Sequence, residues 1–340
     1  MRGSKVRAAA ARACFACIAS FAGAGAGRAE SVNLILNWTP TADHAPYYYA
    51  KSQGWYDKAG LDLTIETGKG SGVSSQKVGA GASAFGIADL ATALVARGKG
   101  ADVVAVMSVY ANTGQGFYWL KSSGIKSPKD FSGRKVGNPP GDAARVMWPA
   151  FAKAVGVDPA SVAFVNITPP AKMASLKSGA VDIITDFYNE HDLKVREFGD
   201  NLGYAGWRDV GLNPYGNSII VNGDTLRAKP DMVKNFVQIS QRAFSACVAD
   251  VKPCLAALMA ATSGLDEAIQ LNQWERIKSM MADEFTTTKA LGWIEPARMK
   301  KDYELVSTYV GLEKPFDVND AFTDRFLDTS IKMDAGEVKR

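Results

Sequence analysis

From residue 32 onward, short apolar runs alternate with stretches whose apolar residues recur at three- and four-residue intervals, the signature of strands and helices taking turns. Residues 32–37 predict a strand and 44–53 a helix ending near Gly54. Residues 61–67 alternate with period two and predict a second strand, followed by a short helix at 71–78. A strand at 84–88, a helix at 90–97 stopped by Gly98, and a strand at 102–110 complete a first series. A second series has strands at 135–138, 162–167 and 182–187, with helices at 142–155 and 172–177. Beyond an extended segment at 215–222 the chain turns helical, at 231–246, 253–262, 266–282 and 296–310. Strands joined through helices imply crossover connections, a parallel sheet and an α/β fold.

At roughly 100–200 residues per domain, 340 residues suggest two lobes. The pattern divides them as 30–115 plus 223–340 for the first lobe with its C-terminal helices, and 116–222 for the second. In this reading 116–121 and 215–222 are strands that cross between lobes. A ligand then sits in the crevice at the carboxyl ends of the parallel strands.

A formal net charge of +4 comes from 39 basic and 35 acidic residues, too weak an excess for a nucleic-acid binder unless it clusters. It does cluster, within one short segment. Residues 1–29 contain Arg2, Lys5, Arg7, Arg12 and Arg28 and no acidic residue. A short apolar run over 13–21 and a small-residue end, with Gly27 and Ala29 before Glu30, complete the pattern of a secretory signal peptide cleaved near Ala29. Without it, 34 basic residues face 35 acidic ones. The expected location is therefore periplasmic, and Cys14 and Cys17 carry no chemistry; lipid attachment at Cys17 fits less well, given the Cys14-Phe-Ala that precedes it. The remaining Cys247 and Cys254 have six residues between them. They fit a small disulfide loop in an oxidising compartment, or else a pair of buried thiols.

Catalytic and metal motifs are not visible. His44 and His191 stand far apart, and no EF-hand, nucleophile elbow or Walker loop occurs. Gly68-Lys-Gly-Ser-Gly72 has its third glycine one position early for a dinucleotide fingerprint, and Gly79-Ala-Gly-Ala-Ser-Ala84 precedes a strand instead of following one. The expectation is no enzyme, no metal and no cofactor.

Aromatic, acidic and amide side chains do collect at strand ends: Trp38, His44 and Tyr47 after the first strand, Ser71 after the second, Asp89 after the third. Asp142 follows the 135–138 strand, Asp186, Tyr188, Asn189 and Glu190 follow the 182–187 strand, and Tyr215 opens the return crossing. Aromatic faces accept flat ligands, and carboxylates and amide oxygens accept hydrogen bonds from amino groups. This set favours a planar, amine-bearing ligand over an anion. Several members have a structural alternative: Asp142, Asp43 and Asp89 suit helix caps, Ser71 a helix start, His44 a buried brace, and Trp38 or Tyr47 the core.

The run Asn37-Trp-Thr-Pro-Thr-Ala-Asp-His-Ala-Pro-Tyr-Tyr-Tyr49, with Gly54-Trp-Tyr, Phe85-Gly-Ile-Ala-Asp89, Gly179-Ala-Val-Asp182 and Asn189-Glu190, resembles the ABC-transporter solute-binding proteins for thiamine pyrimidine precursors, nitrate and aliphatic sulfonates, a family related to the thiamine-pyrimidine synthases. The resemblance implies the type II periplasmic binding protein fold, two lobes that close on a small-molecule ligand like a flytrap. It also implies transport through an inner-membrane ABC permease; with the weak net charge, the expectation is no nucleic-acid partner, and a monomer. The opening motif is most similar to the pyrimidine-precursor branch. There Trp38 would stack on the ring, Glu190 would bond its amino group and Tyr188 would form a second aromatic wall. His191 stands where the family often has proline. The synthases carry a lysine and a histidine in the stretch corresponding to 85–98, where this chain has neither.

Overall fold

The structure is a computed structural model that describes residues 29–339. The expected signal peptide lies outside the described residues except for Ala29. Ten strands are described: β1 (Glu30–Ile35), β2 (Leu61–Glu66), β3 (Phe85–Asp89), β4 (Val103–Ser108), β5 (Gln115–Leu120), β6 (Lys135–Asn138), β7 (Ala163–Asn166), β8 (Ile183–Phe187), β9 (Leu202–Gly206) and β10 (Asn217–Asn222). They form two five-stranded sheets, ordered β2-β1-β3-β10-β4 and β7-β6-β8-β5-β9.

The two orders are the same design. In each, the strand next to one edge runs antiparallel to both neighbours: β10 against β3 and β4, β5 against β8 and β9. The other pairings are parallel, as in β1 with β2 from Glu30↔Leu61 to Ile35↔Glu66. The expected parallel sheet is therefore corrected to two mixed ones, each mainly of parallel strands in its longer part. β5 follows β4 in the chain yet joins the second sheet, and β10 follows β9 yet joins the first. Each sheet receives its antiparallel strand from chain that has just left the other. The segments read as crossing strands are thus ladder members, and the crossings themselves lie before them, at 109–114 and 207–216. β9, whose Leu-Gly-Tyr-Ala-Gly lacks a periodic apolar pattern, was not expected.

Burial follows position. Edge strand β2 alternates between buried and exposed residues over its first four positions, whereas the interior strands β3 and β10 are buried throughout, as strands covered on both faces must be. The opposite edge strand, β4, is buried as well, with Phe322 bridging it at Ala105. One cover is the helix Pro230–Ala249, which starts on proline and turns Val233, Phe236, Val237 and Phe244 inward. Phe236 stacks on Phe85 with ring centroids 3.9 Å apart. Each such side chain contributes about 1.5–3 kcal/mol by burial. A disulfide between Cys247 and Cys254, with Cα atoms 5.9 Å apart, ties this helix to the next, Lys252–Ala261.

A second apolar cluster runs from the Leu90–Gly98 helix into the second half, where Phe117 packs on Phe151 at 4.4 Å and on Trp148 at 5.6 Å. The helix Glu267–Met281, capped by Asp266, packs against the turns Ala42–His44 and Tyr188–Glu190. It therefore touches both halves. Its Arg276 grips Asp192 with two bonds, of 2.9 and 2.5 Å, and lies 4.5 Å above the Tyr188 ring.

Candidate functional site

Between the halves lies a narrow cleft, lined from one side by Asn37, Trp38, Thr41, Asp43, Gly70 and Ser71, and from the other by Asp142, Lys172, Asp186, Phe187, Asn189 and Glu190. Gln115, where the chain enters β5, also lines it.

The first wall is built where the chain leaves β1. Thr41 starts the turn Ala42–His44; its amide donates to His44 Nδ1 at 3.1 Å, and its hydroxyl bonds Asp43 at 2.5 Å. Because Nδ1 accepts, the imidazole proton sits on Nε2, which donates to Asn37 Oδ1 at 3.0 Å. His44 is thus neutral. Burial lowers its pKa against the opposing pull of Asp43, so the 3.3 Å approach of Nδ1 to Asp43 is no ion pair. Asn37 Nδ2 donates to Asn217 Oδ1, and Asn217 Nδ2 donates to Asp43 at 3.3 Å. Trp38 projects half-buried from this frame.

The second wall is a set of charges. Asp142 caps the turn Ala143–Val146 through one oxygen. Its other oxygen accepts from Lys172 Nζ at 2.8 Å and from Thr185 Oγ1 at 3.1 Å. Lys172 Nζ also donates to the Thr185 carbonyl at 2.8 Å and lies 4.3 Å from the Trp38 ring centroid. Burial would lower the Lys172 pKa, but the charges of Asp142 and Asp186 overcome it and raise it. Beyond it, Lys194 Nζ pairs with Asp186 at 2.6 Å and Glu190 at 3.4 Å. Burial acts against the Asp186 carboxylate, yet the Lys194 and Lys172 charges hold its pKa below the ordinary value. Glu190 moves the other way: burial first, then the Asp186 charge, push it up to about 7.

The walls meet at a glycine seam. The Gly72 amide donates to the Gly141 carbonyl at 3.0 Å, and Gly70 has φ +120°, where a Cβ would fall 2.4 Å from that same oxygen. Only glycine permits this approach.

Of the residues singled out from sequence, Trp38, Ser71, Asp142, Asp186, Asn189 and Glu190 come together in the cleft. His44, Tyr47, Asp89, Tyr188 and Tyr215 do not line it. His44 is spent on Asn37 and Thr41, as described. Tyr47 faces the core against Phe244, at 5.4 Å. Asp89 caps the helix Leu90–Gly98 through Thr92 and receives Gln115 Nε2 at 3.2 Å. Burial pushes its pKa up to about 6 despite those bonds. Tyr188 lines a neighbouring groove with Tyr204 and Trp207. Tyr215 is buried, its hydroxyl accepting from the Glu295 amide at 2.8 Å, with Arg298 over its ring.

Sequence reasoning missed both lysines, and so expected a more acidic cleft than this one. A signal for Lys172 was present: it sits in the first turn of the helix Lys172–Lys177, where the helix dipole disfavours a cation. Lys194 stands four residues after Glu190, the spacing of a helical ion pair.

Two α/β halves of equal topology, crossed twice by the chain and facing one another over a polar cleft, constitute the periplasmic binding protein fold. Solved structures agree: the alkanesulfonate-binding protein SsuA from Xanthomonas axonopodis, bound to MOPS, superposes with a TM-score of 0.68 over 86% of this chain and 98% of its own, at 14% identity. SsuA from Escherichia coli gives 0.64 over 87% and 92%, also at 14%. The chain belongs to the NMT1/THI5-like family, which matches residues 41–252. Among curated relatives, 4-amino-5-hydroxymethyl-2-methylpyrimidine phosphate synthase from Legionella pneumophila is 25% identical over 87% of this chain and 92% of its own. The formylaminopyrimidine-binding protein of Halalkalibacterium halodurans is 26% identical over 57% of this chain and 59% of its own.

Proposed function

We propose that this chain is a non-catalytic, exported solute receptor of an ABC importer, working as a monomer, whose cleft binds a small planar nitrogen heterocycle such as a thiamine pyrimidine precursor. The observation that carries this reading is the Asn189 side chain, buried in the cleft lining with an amide oxygen that has no hydrogen-bond partner among the described residues. An unpaired buried acceptor costs about 1–3 kcal/mol, which a ligand amino group recovers by donating to it. Glu190 follows it in the chain, and Trp38 on the first wall supplies the flat surface. In this reading Trp38 stacks on the ring, Asn189 and Glu190 take the amino group, and Asp142 with Lys172 closes the far side. The Halalkalibacterium relative, named as a formylaminopyrimidine-binding protein, supports the ligand class.

Closure would be a hinge motion about the two crossings, with the permease engaging the closed form. The test is mass spectrometry of ligand released from purified protein, with calorimetry against an aminopyrimidine and an alkanesulfonate. An aminopyrimidine that co-purifies or binds supports the proposal. Sulfonate binding alone overturns the ligand class. A pyridoxal absorbance band together with a pyrimidine product would favour the enzymatic activity that the Legionella relative's name describes.

A further inference from the structure

Trp38 does not meet a ligand as a bare ring. Lys172 Nζ already stands 4.3 Å from its centroid, and the lysine is 3% exposed. That ammonium cannot easily swing aside, being fixed by Asp142 and the Thr185 carbonyl, each at 2.8 Å. A flat ligand therefore has two options. On the face that Lys172 covers, it must displace the ammonium from its two partners. On the opposite face, it stacks on π electrons already drawn toward a cation.

We infer that Lys172 is a specificity-determining residue that selects an uncharged heterocycle and rejects a permanently cationic one. The inference rests on the reading of the cleft as a heterocycle site. The carboxylates of the cleft do not reverse it, because two of the four are ion-paired and a third is taken up by hydrogen bonds within its own wall. Asp142 is paired with Lys172, and Asp186 with Lys194 at 2.6 Å. Asp43 accepts from Thr41 and Asn217. Glu190 remains: burial and the Asp186 charge push it up to about 7, so it carries only part of a negative charge near neutral pH, and Lys194 stands 3.4 Å from it. A ligand cation placed across one aromatic ring from Lys172 would meet a like charge at close range with little solvent between them.

The experiment compares a neutral aminopyrimidine with the same ring methylated on a ring nitrogen, so that shape is nearly kept and a fixed positive charge is added. Calorimetry on the native protein is expected to give at least about a tenfold preference for the neutral compound, the ratio that some 1.4 kcal/mol corresponds to. Lys172→Met alone would leave Asp142 as an uncompensated buried charge that attracts cations by itself. The decisive variant is therefore Lys172→Met with Asp142→Asn, which keeps net charge and retains an oxygen for the helix cap. Its folding is checked by circular dichroism and thermal melting. A preference that falls by tenfold or more in this double variant supports the inference. Neutral and cationic compounds binding equally to the native protein, or a preference unchanged in the double variant, overturns the role of Lys172 and leaves the heterocycle reading standing. Binding of neither compound overturns both.

Discussion

The two walls of the cleft hold their polar groups by different physics. On the first-sheet side, Asn37, Thr41, His44 and Asn217 form a chain of dipoles around the one carboxylate of Asp43. On the second-sheet side, Asp142 with Lys172 and Asp186–Glu190 with Lys194 are held by opposite charges out of water. The first wall fixes a shape that changes little with pH. The second depends on charge balance, so loss of one member leaves another stranded. A ligand closed between them meets a rigid aromatic frame on one side and a titrating one on the other.

The contrast is most severely tested by Lys194→Met, which leaves Asp186 and Glu190 buried without the cation that contacts them. Breaking a buried pair from one side costs about 3–5 kcal/mol. Urea unfolding at pH 7 should register a loss of that size, shrinking at pH 5 where the carboxyls can take up protons. A loss under about 1 kcal/mol would mean that charge balance does not hold this wall. Next comes Gly70→Ala at the seam. Left-handed backbone strain alone costs about 1–3 kcal/mol, and the new methyl meets the Gly141 oxygen, so the walls should part. Solution scattering should show a more open molecule, with ligand affinity down about tenfold or more; unaltered scattering would remove the seam from the account of closure.

Trp38→Ala should weaken ligand binding by at least about 1 kcal/mol if the ring stacks there. An unchanged dissociation constant by calorimetry would transfer recognition to the second wall. The smallest effect belongs to pH, because Glu190 and Asp186 shift in opposite directions. Folded Glu190 keeps its proton up to about 7, whereas the unfolded chain releases it near the ordinary value of 4.5. Its contribution to stability is therefore complete below 4.5 and is lost as pH rises toward 7. Asp186 contributes in the opposite sense, its stabilisation being present above 3.8 and lost on acidification. Glu190→Gln removes the first of these, so the stability of the variant relative to the native protein should rise between pH 4.5 and 7. Parallel stability curves over that window would place the Glu190 proton elsewhere.

Most strands were legible from local pattern, since a buried strand needs only a short apolar run bounded by turn residues. The direction of β5 and β10 was not, because it is set by ladders to strands tens of residues away. β9 was hidden because its glycines give close packing, with Trp119 over Gly203, instead of an apolar period. At the site, Trp38, Asp142 and Glu190 were legible because strand ends point at a cleft whatever the details of the fold. Lys172 was not, since its partners Asp142 and Thr185 lie 30 and 13 residues away. His44 and Asp89 were misplaced for a related reason: a polar residue beside a cleft can face away from it and brace the one that faces in.

The exchange of strands between the sheets has a consequence for assembly. Every strand of the second sheet lies within residues 115–206, a contiguous stretch that can pair as soon as it exists. The first sheet has no such independence, because β3 and β4 are joined only through β10, more than a hundred residues further along. A chain stopped at residue 206 would hold one complete sheet and another with a gap one strand wide, where Ile219 and Val221 belong. The half that is written first is therefore finished last, and the slow, non-local step of folding should be the insertion of β10.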